Sequence, residues 1–287
     1  MATASLPLPR TGRGKRAKSP LPGLSLTLGI TITWLTILLL LPLVALFAKS
    51  ITLGPEHFVD AAFSRRAIAS YQLSFGAALA AAAVNACFGL LIAWVLVRYR
   101  FPGRRLLGAL VDLPFALPTA VAGIALTAVY ANTGWVGQPA SAFGLALAYN
   151  PTGIVIALTF IGLPFVVRTI EPVLADMGKG LEEAAATLGA GRWTIFRRVI
   201  LPEILPSLIT GFSLAFARGV GEYGSVIFIA GNMPFKSEIA PLLIVTKLEE
   251  YDYAGATAIA TVLLLTSLAL LLAINAYQGR ELRRRSA

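Results

Sequence analysis

The sequence predicts an all-α protein that crosses a membrane six times, and three observations carry that expectation. The 287 residues are 57% apolar and only 13% charged, too few polar side chains to clothe a soluble globule of this size. Uncharged runs extend from Ser19 to Ala48, Ala67 to Val97, Leu113 to Val167 and Tyr253 to Gly279, where a helix needs roughly 20 apolar residues to cross a bilayer. The 24 Lys and Arg are gathered between those runs. Backbone groups inside lipid must bond within their own segment, so helices are the form these lengths allow.

Residues 1–22 hold five Lys or Arg, no acid, and several Pro, Gly and Ser. Such a composition buries too little surface to fold, which predicts a disordered basic cytoplasmic tail. Pro7, Pro9, Gly12 and Gly14 oppose an amphipathic targeting helix, and no small-residue cleavage site follows the first apolar run. Leu24 to Phe47 is therefore expected as an uncleaved first span, and residues 23–287 as one transmembrane domain. Five more spans are expected at Ser70 to Val97, Leu107 to Ala131, Thr152 to Pro172, Ser207 to Ala230 and Ala254 to Tyr277. Outside the spans, 18 Lys and Arg fall on the side of the termini and five on the other: Lys49, Arg65, Arg66, Lys236 and Lys247. By the positive-inside rule both termini are cytoplasmic. Trp94 with Tyr99, and Tyr130 with Trp135, fit interfacial belts. The uncharged external loop from Asn132 to Asn150 carries an apolar stretch, Ala142 to Tyr149, that either packs on other helices or lies on the outer surface.

Several function classes are excluded. A net charge of +10 raises nucleic acid as a partner, but no soluble segment interleaves basic and aromatic residues, so no nucleic-acid partner is expected. One cysteine, Cys87, supports neither a disulfide framework nor a thiolate cluster, and the single histidine, His57, sits in the first external loop as a solvated residue. Gly219 to Gly224 match G-x-G-x-x-G outside any βαβ unit. With Ser207, Gly211, Ala215 and Gly219 at successive fourth positions, the better account is a small-residue stripe for close helix approach. The chain contains no G-x-x-x-x-G-K-[ST] and no H-E-x-x-H, so it is read as a non-enzyme with no catalytic, metal or cofactor residues of its own.

Arg218 and Glu222 fall in the middle of the expected fifth span, where each costs roughly 2.5 to 3.5 kcal/mol unless paired. Their i,i+4 spacing lets them pair. With Tyr223 they are candidates for lining a translocation route; the alternative is a pair that fixes packing. Asp112, early in the third span, is expected to snorkel toward the basic segment ending at Arg105. Residues 175–206 form a long cytoplasmic loop in which an Ala-rich helix ends at Gly189 as its left-handed cap, followed by an amphipathic stretch with Trp193, Phe196 and Ile200 on one side.

Glu183, Ala184, Ala185, Gly189, Val199, Leu201 and Pro202 stand at the spacing E-A-A-x3-G-x9-[IV]-x-L-P, which resembles the coupling loop of ABC importer permeases, with Val199 where isoleucine is usual. A wider resemblance, resting on Phe216 to Gly224, Ile229 to Asn232, Lys236 to Pro241 and Lys247 to Tyr253, is to the T-type permeases of sulfate and thiosulfate importers. The resemblance implies a six-helix type I ABC importer permease fold in the bacterial plasma membrane, forming half of a translocation pathway. It also implies partners: a second W-type permease, two cytoplasmic ATPase subunits that bind ATP and Mg, and a periplasmic sulfate-binding protein. Molybdate and tungstate permeases are similar around Gly221 to Gly224 and give the runner-up substrate. A self-sufficient secondary anion transporter is the alternative of another class. Against it, a coupling loop has no purpose there, and although Pro114 and Pro118 interrupt the third span, no matching interruption is expected in the other half.

Overall fold

The structure is a computed structural model that describes the backbone from Leu24 to Ser286; the basic tail expected over residues 1–22 lies outside the described residues. Among the described residues, five helices are long and apolar enough to cross a membrane, and a sixth crossing is made if one pair bent by 117° counts as a single span. The chain divides after Ala48 into two units.

The first unit holds the first span: α1 (Leu24–Leu35), a π-helical turn (Thr36–Leu40) and α2 (Leu41–Thr52), whose last residues belong to the second unit. Pro42 has no N–H to offer the carbonyl of Leu38, and the wider π turn absorbs that gap. Leu35 and Ile37 to Leu41 are all exposed, so the helix is apolar around its whole circumference, as a lipid-facing span must be.

The second unit begins with α3 (Pro55–Ala62) and α4 (Arg65–Arg98). Ser64 starts α4 by accepting a hydrogen bond from the Ala67 N–H at 3.2 Å, the usual N-cap device. α5 (Arg104–Ala116) and α6 (Thr119–Tyr130) are the bent pair. Pro118 forces Leu117 into the extended region and donates no hydrogen bond, so the expected third span is two helices rather than one. After α7 (Gly137–Ala142), α8 (Pro151–Asp176) opens with Asn150 accepting from the Gly153 N–H at 3.0 Å. Next come α9 (Gly180–Thr187), α10 (Arg192–Ile195), a second π turn (Phe196–Ile200) and α11 (Leu201–Val220). The π turn again lies just before a proline, Pro202. Three helices close the chain: α12 (Val226–Ile229), α13 (Ala240–Glu249) and α14 (Tyr253–Ser286).

The fifth span corrects an expectation. The helix was expected over Ser207 to Ala230, but it runs from Arg192 to Val220 and stops at Gly221. Residues 221–225 are irregular before α12 begins, because Gly219, Gly221 and Gly224 disfavour a continued helix.

The core is the mutual packing of α4, α8 and α11 through Ala77, Ala78, Ala81, Ile154, Val166 and Ala215. Lipid supplies no hydrophobic drive between helices, so close approach through small residues has to bind them. A methyl at Gly89 would sit 2.8 Å from Val166 Cγ1, one at Gly211 2.3 Å from Thr169 Oγ1 and 2.8 Å from Val166 Cα, and one at Gly219 3.3 Å from Ala78 Cβ. The small-residue stripe on the fifth span is thus the seam of the bundle. Asn85 lies in the same seam, 0% exposed, with neither carboxamide atom hydrogen-bonded. A methyl on Gly162 would come within 2.5 Å of its Nδ2.

Candidate functional site: the hairpin and the interrupted span

α9 and α10 form a helical hairpin between α8 and α11. α9 ends in a Schellman cap: Gly189 N–H bonds Ala186 O at 2.9 Å, Ala190 N–H bonds Ala185 O at 3.1 Å, and Gly189 adopts φ +82°. Left-handed backbone strains any residue with a Cβ, so glycine is required for its conformation. Space is not the reason, since a methyl there would meet nothing within 4 Å. Glu183, Ala184 and Gly189 are exposed, whereas Ala185, Val199, Leu201 and Pro202 are half-buried. Leu188 is 88% exposed and Trp193 71% exposed. The hairpin therefore exposes Glu183 and large apolar side chains alongside the basic Lys179, Arg192, Arg197 and Arg198, and its second limb roots in the bundle through Ile200 and Ile204.

The end of α4 supports both limbs. Arg98 Nη2 lies 2.5 Å from Glu182 Oε1 and donates to Gly178 O at 3.0 Å. Its guanidinium stands 5.7 Å from the Trp94 ring centre, Trp94 meets Phe196 edge to face at 6.2 Å, and Phe196 stacks on Trp193 at 5.7 Å. Sequence reading placed Trp94 in an interfacial belt and missed Arg98. The available signal was slight: an arginine closing an apolar run, with its partners Gly178 and Glu182 some eighty residues further along the chain.

The second region is the break after α11. Arg218 is in the last turn of that helix and Glu222 lies beyond its end, so the pair marks the end of a helix rather than the middle of one. They do pair: Arg218 Nη1 bonds Glu222 Oε2, and Glu222 Oε1 accepts from Ser225 N–H and Ser225 Oγ, both at 3.0 Å. Glu222 is 2% exposed, while Arg218 and Tyr223 are half-buried. The loop seats on the start of α6, where a methyl at Gly224 would fall 2.2 Å from Thr119 Oγ1 and one at Gly123 2.4 Å from Ser225 O. Two interrupted spans thus meet, contrary to the expectation that only the third would be interrupted. Backbone freed inside a membrane protein is tolerated where protein buries it, and Glu222 supplies an acceptor to one such freed N–H.

Asp112 also differs from expectation. It accepts from Arg168 Nε at 2.8 Å and Nη2 at 2.5 Å, joining α5 to α8, with Arg168 also bonded to Glu171 and to Gly108 O at 3.0 Å. A fixed guanidinium fork on a neighbouring helix outcompetes a loose reach to the basic loop. On the opposite side, Tyr149 N–H bonds Ile229 O at 2.7 Å and Ala148 is buried, while Trp135 and Phe143 stay exposed. The uncharged loop is therefore packed at its end and apolar at its tip. His57 is exposed on α3.

Membrane helices around a small-residue seam, two spans broken against each other and a projecting hairpin define a membrane-spanning transport subunit. The fold matches that in the crystal structure of a bacterial alginate ABC transporter in complex with an alginate pentasaccharide-bound periplasmic protein, at TM-score 0.74 and 20% identity over 90% of this chain and 94% of that one. Residues 85–284 match the family described as binding-protein-dependent transport system inner membrane component, and the chain belongs to that family. It is 52% identical to a probable sulfate transport system permease protein of Nephroselmis olivacea, over 87% of this chain and 88% of that protein. It is 50% identical to a sulfate transport system permease protein of Synechococcus elongatus, over 90% and 96%. The chain is accordingly an ABC transporter permease and an inner membrane component.

Proposed function

We propose that this chain is the T-type permease of an ATP-driven importer for sulfate and thiosulfate, forming half of the translocation pathway beside a second permease. The observation that carries the substrate class is identity of about half to sulfate permeases across nearly the whole chain. Two ATPase subunits bind ATP and Mg, and a periplasmic binding protein delivers the anion. Glu183, Ala184, Ala185, Gly189, Val199, Leu201 and Pro202 form the surface and root of the coupling loop, residues 175–206, and both termini are cytoplasmic. A short, capped helix with small side chains seats readily in a groove, with Glu183 offering a carboxylate to donors there.

Arg218, Glu222 and Tyr223 border the pathway. Arg218 is half-buried while its countercharge is buried, so a dianion meets a cation whose attraction is already tempered. Weak binding of this kind lets an ion leave as well as enter.

The test is the complete complex in proteoliposomes, with ATP hydrolysis and uptake followed for sulfate, thiosulfate and molybdate in turn. Stimulation by sulfate or thiosulfate is expected. Stimulation by molybdate alone would replace the substrate, and uptake without ATP would replace the class. Reporter fusions at residues 134–150 and after Gln278 should report opposite sides of the membrane; the same side would overturn the topology.

A further inference from the structure

Helix α4 is held by charge at both ends. In its first turn Arg66 forks onto Glu238, Nε to Oε2 at 2.7 Å and Nη2 to Oε1 at 2.6 Å, and the Glu238 side chain is 1% exposed. In its last turn Arg98, its own side chain 9% exposed, donates to the carbonyl of Gly178 and lies 2.5 Å from Glu182 Oε1 as an ion pair, while Arg98 Nε and Glu182 Oε1 make no hydrogen bond. Thirty-four helical residues span about 51 Å, more than the roughly 40 to 45 Å of a bilayer with its headgroups. The two ion pairs therefore stand at opposite faces of the membrane.

What each end holds differs in kind. Toward its first turns, α4 grips the segment between α12 and α13 through Glu238, and the start of α13 through Ser74 Oγ, which accepts from Ala240 N–H at 2.7 Å. At the last turn it grips the hairpin, through Arg98 and through the stack that runs from Trp94 to Phe196 to Trp193. Between these points the helix is clasped without slack, with Gly89 against Val166 and Ala78 against Gly219. Close-packed interfaces of this kind shift as units rather than deform continuously.

The covalent route into the hairpin is looser. α8 reaches α9 through Met177 to Lys179, and Gly178 there takes φ +62° with nothing within 4 Å of an added methyl. That glycine is a joint, so little tilt passes from α8 into α9, whereas the second limb continues without a break from Arg192 into α11. For α9, side-chain contact with α4 is the stiffer link.

We propose that α4 is the strut through which the hairpin and the outer segment 231–239 move together, with Arg98 and Arg66 as its two positioning residues. The proposal rests on the reading of the hairpin as the ATPase-facing surface. A tilt of α9 pulls Arg98 through Glu182, the rod carries the displacement, and Arg66 delivers it to Glu238. The same path runs in reverse when a delivery protein presses on the outer face, because coupling between two sites is reciprocal.

Two measurements test this. In the complete importer, the ratio of ATP hydrolysis with loaded binding protein to hydrolysis without it is measured for Arg98→Ala, Glu238→Gln, the double variant, and the charge swap Arg98→Glu/Glu182→Arg. Each single variant should lower the ratio at least fivefold, and the double should fall no further than the worse single. The swap should recover at least half of the wild-type ratio. Residues acting through one element are non-additive in this way, whereas independent losses of stability multiply. A ratio within twofold of wild type for Arg98→Ala, multiplying effects, or a swap without recovery would each overturn the strut.

The second measurement needs no partner. Trypsin cleavage at Lys179, Arg192, Arg197 and Arg198 is timed on the purified full chain, and Arg98→Ala should accelerate it at least fivefold, with Arg98→Lys intermediate. Unchanged cleavage overturns the tether itself. A wild-type complex that ignores sulfate while the cleavage result holds overturns the proposed substrate instead.

Discussion

The hairpin and the break after α11 both depend on glycine, for opposite reasons. At Gly189 the backbone is left-handed and the surroundings are empty, so a side chain strains the chain and disturbs nothing else. At Gly224, Gly123 and Gly211 an added methyl would collide with a neighbouring segment at 2.2 to 2.4 Å. Glycine there is a matter of room, and substitution pushes two segments apart. The first kind tunes a surface; the second holds the bundle together. This difference orders the expected mutational effects.

The largest is Gly211→Val. Its side chain must displace Thr169 and the α8 backbone at Val166, an overpacking cost of about 3 kcal/mol. Thermal melting of the detergent-purified chain should show a large loss of midpoint or no folded chain, and a wild-type midpoint would refute the seam. Next is Arg218→Ala, which strands the Glu222 carboxylate among its Ser225 donors; with the Arg218 side chain 35% exposed, water screens part of the loss and the cost is about 2 kcal/mol. The Arg218→Ala/Glu222→Ala double variant should recover part of that stability without recovering uptake. Uptake restored in the double would leave the pair a packing role alone.

Gly189→Val is smaller in stability and larger in function. Left-handed backbone costs a branched residue about 1 to 2 kcal/mol, spent on a local change of angle. Membrane insertion and melting should stay near wild type, while ATPase co-purification or substrate-stimulated hydrolysis falls, as it should for Glu183→Ala. Wild-type behaviour of both variants in both assays removes the coupling role. The smallest effect is at Asp252, whose carboxyl is held below the usual carboxylate range by the Gly255 N–H, against burial and with help from Lys247. A lowered native pKa gives stability that is present above the unfolded value and lost as pH falls through the folded one. Asp252→Asn should therefore cost a few tenths of a kcal/mol at pH 7, as exposed pairs do, and nothing once the pH is below that range. A cost of the same size at low pH would show that the charge is irrelevant.

What was legible in the sequence followed the same division. The hairpin was readable because its determinants are local: an Ala-rich turn, a glycine at the cap, and a proline where α11 begins. The small-residue stripe was readable from its period of four. The end of α11 was not, because residues 207–230 remain apolar on both sides of the break and hydropathy does not register a glycine pressed on Thr119. For the same reason no pattern of residues hints that two interruptions meet. Asp112 was assigned to its nearest basic neighbours along the chain, while its partner lay on another helix. Long-range pairs such as Arg66 with Glu238 are set by topology, and no spacing announces them.

The Asp112–Arg168 pair carries a consequence for synthesis. The carboxylate leaves the ribosome 56 residues ahead of the guanidinium that neutralises it, an interval of about 3 to 11 seconds at ordinary elongation rates. Throughout that time α5 must hold an acid at the membrane that costs roughly 2.5 to 3.5 kcal/mol at the centre of an isolated helix. α5 is therefore a poor candidate for independent release into lipid. It is expected to wait at the insertion machinery or the interface until α8 brings Arg168, whose guanidinium Asp112 then shares with Glu171.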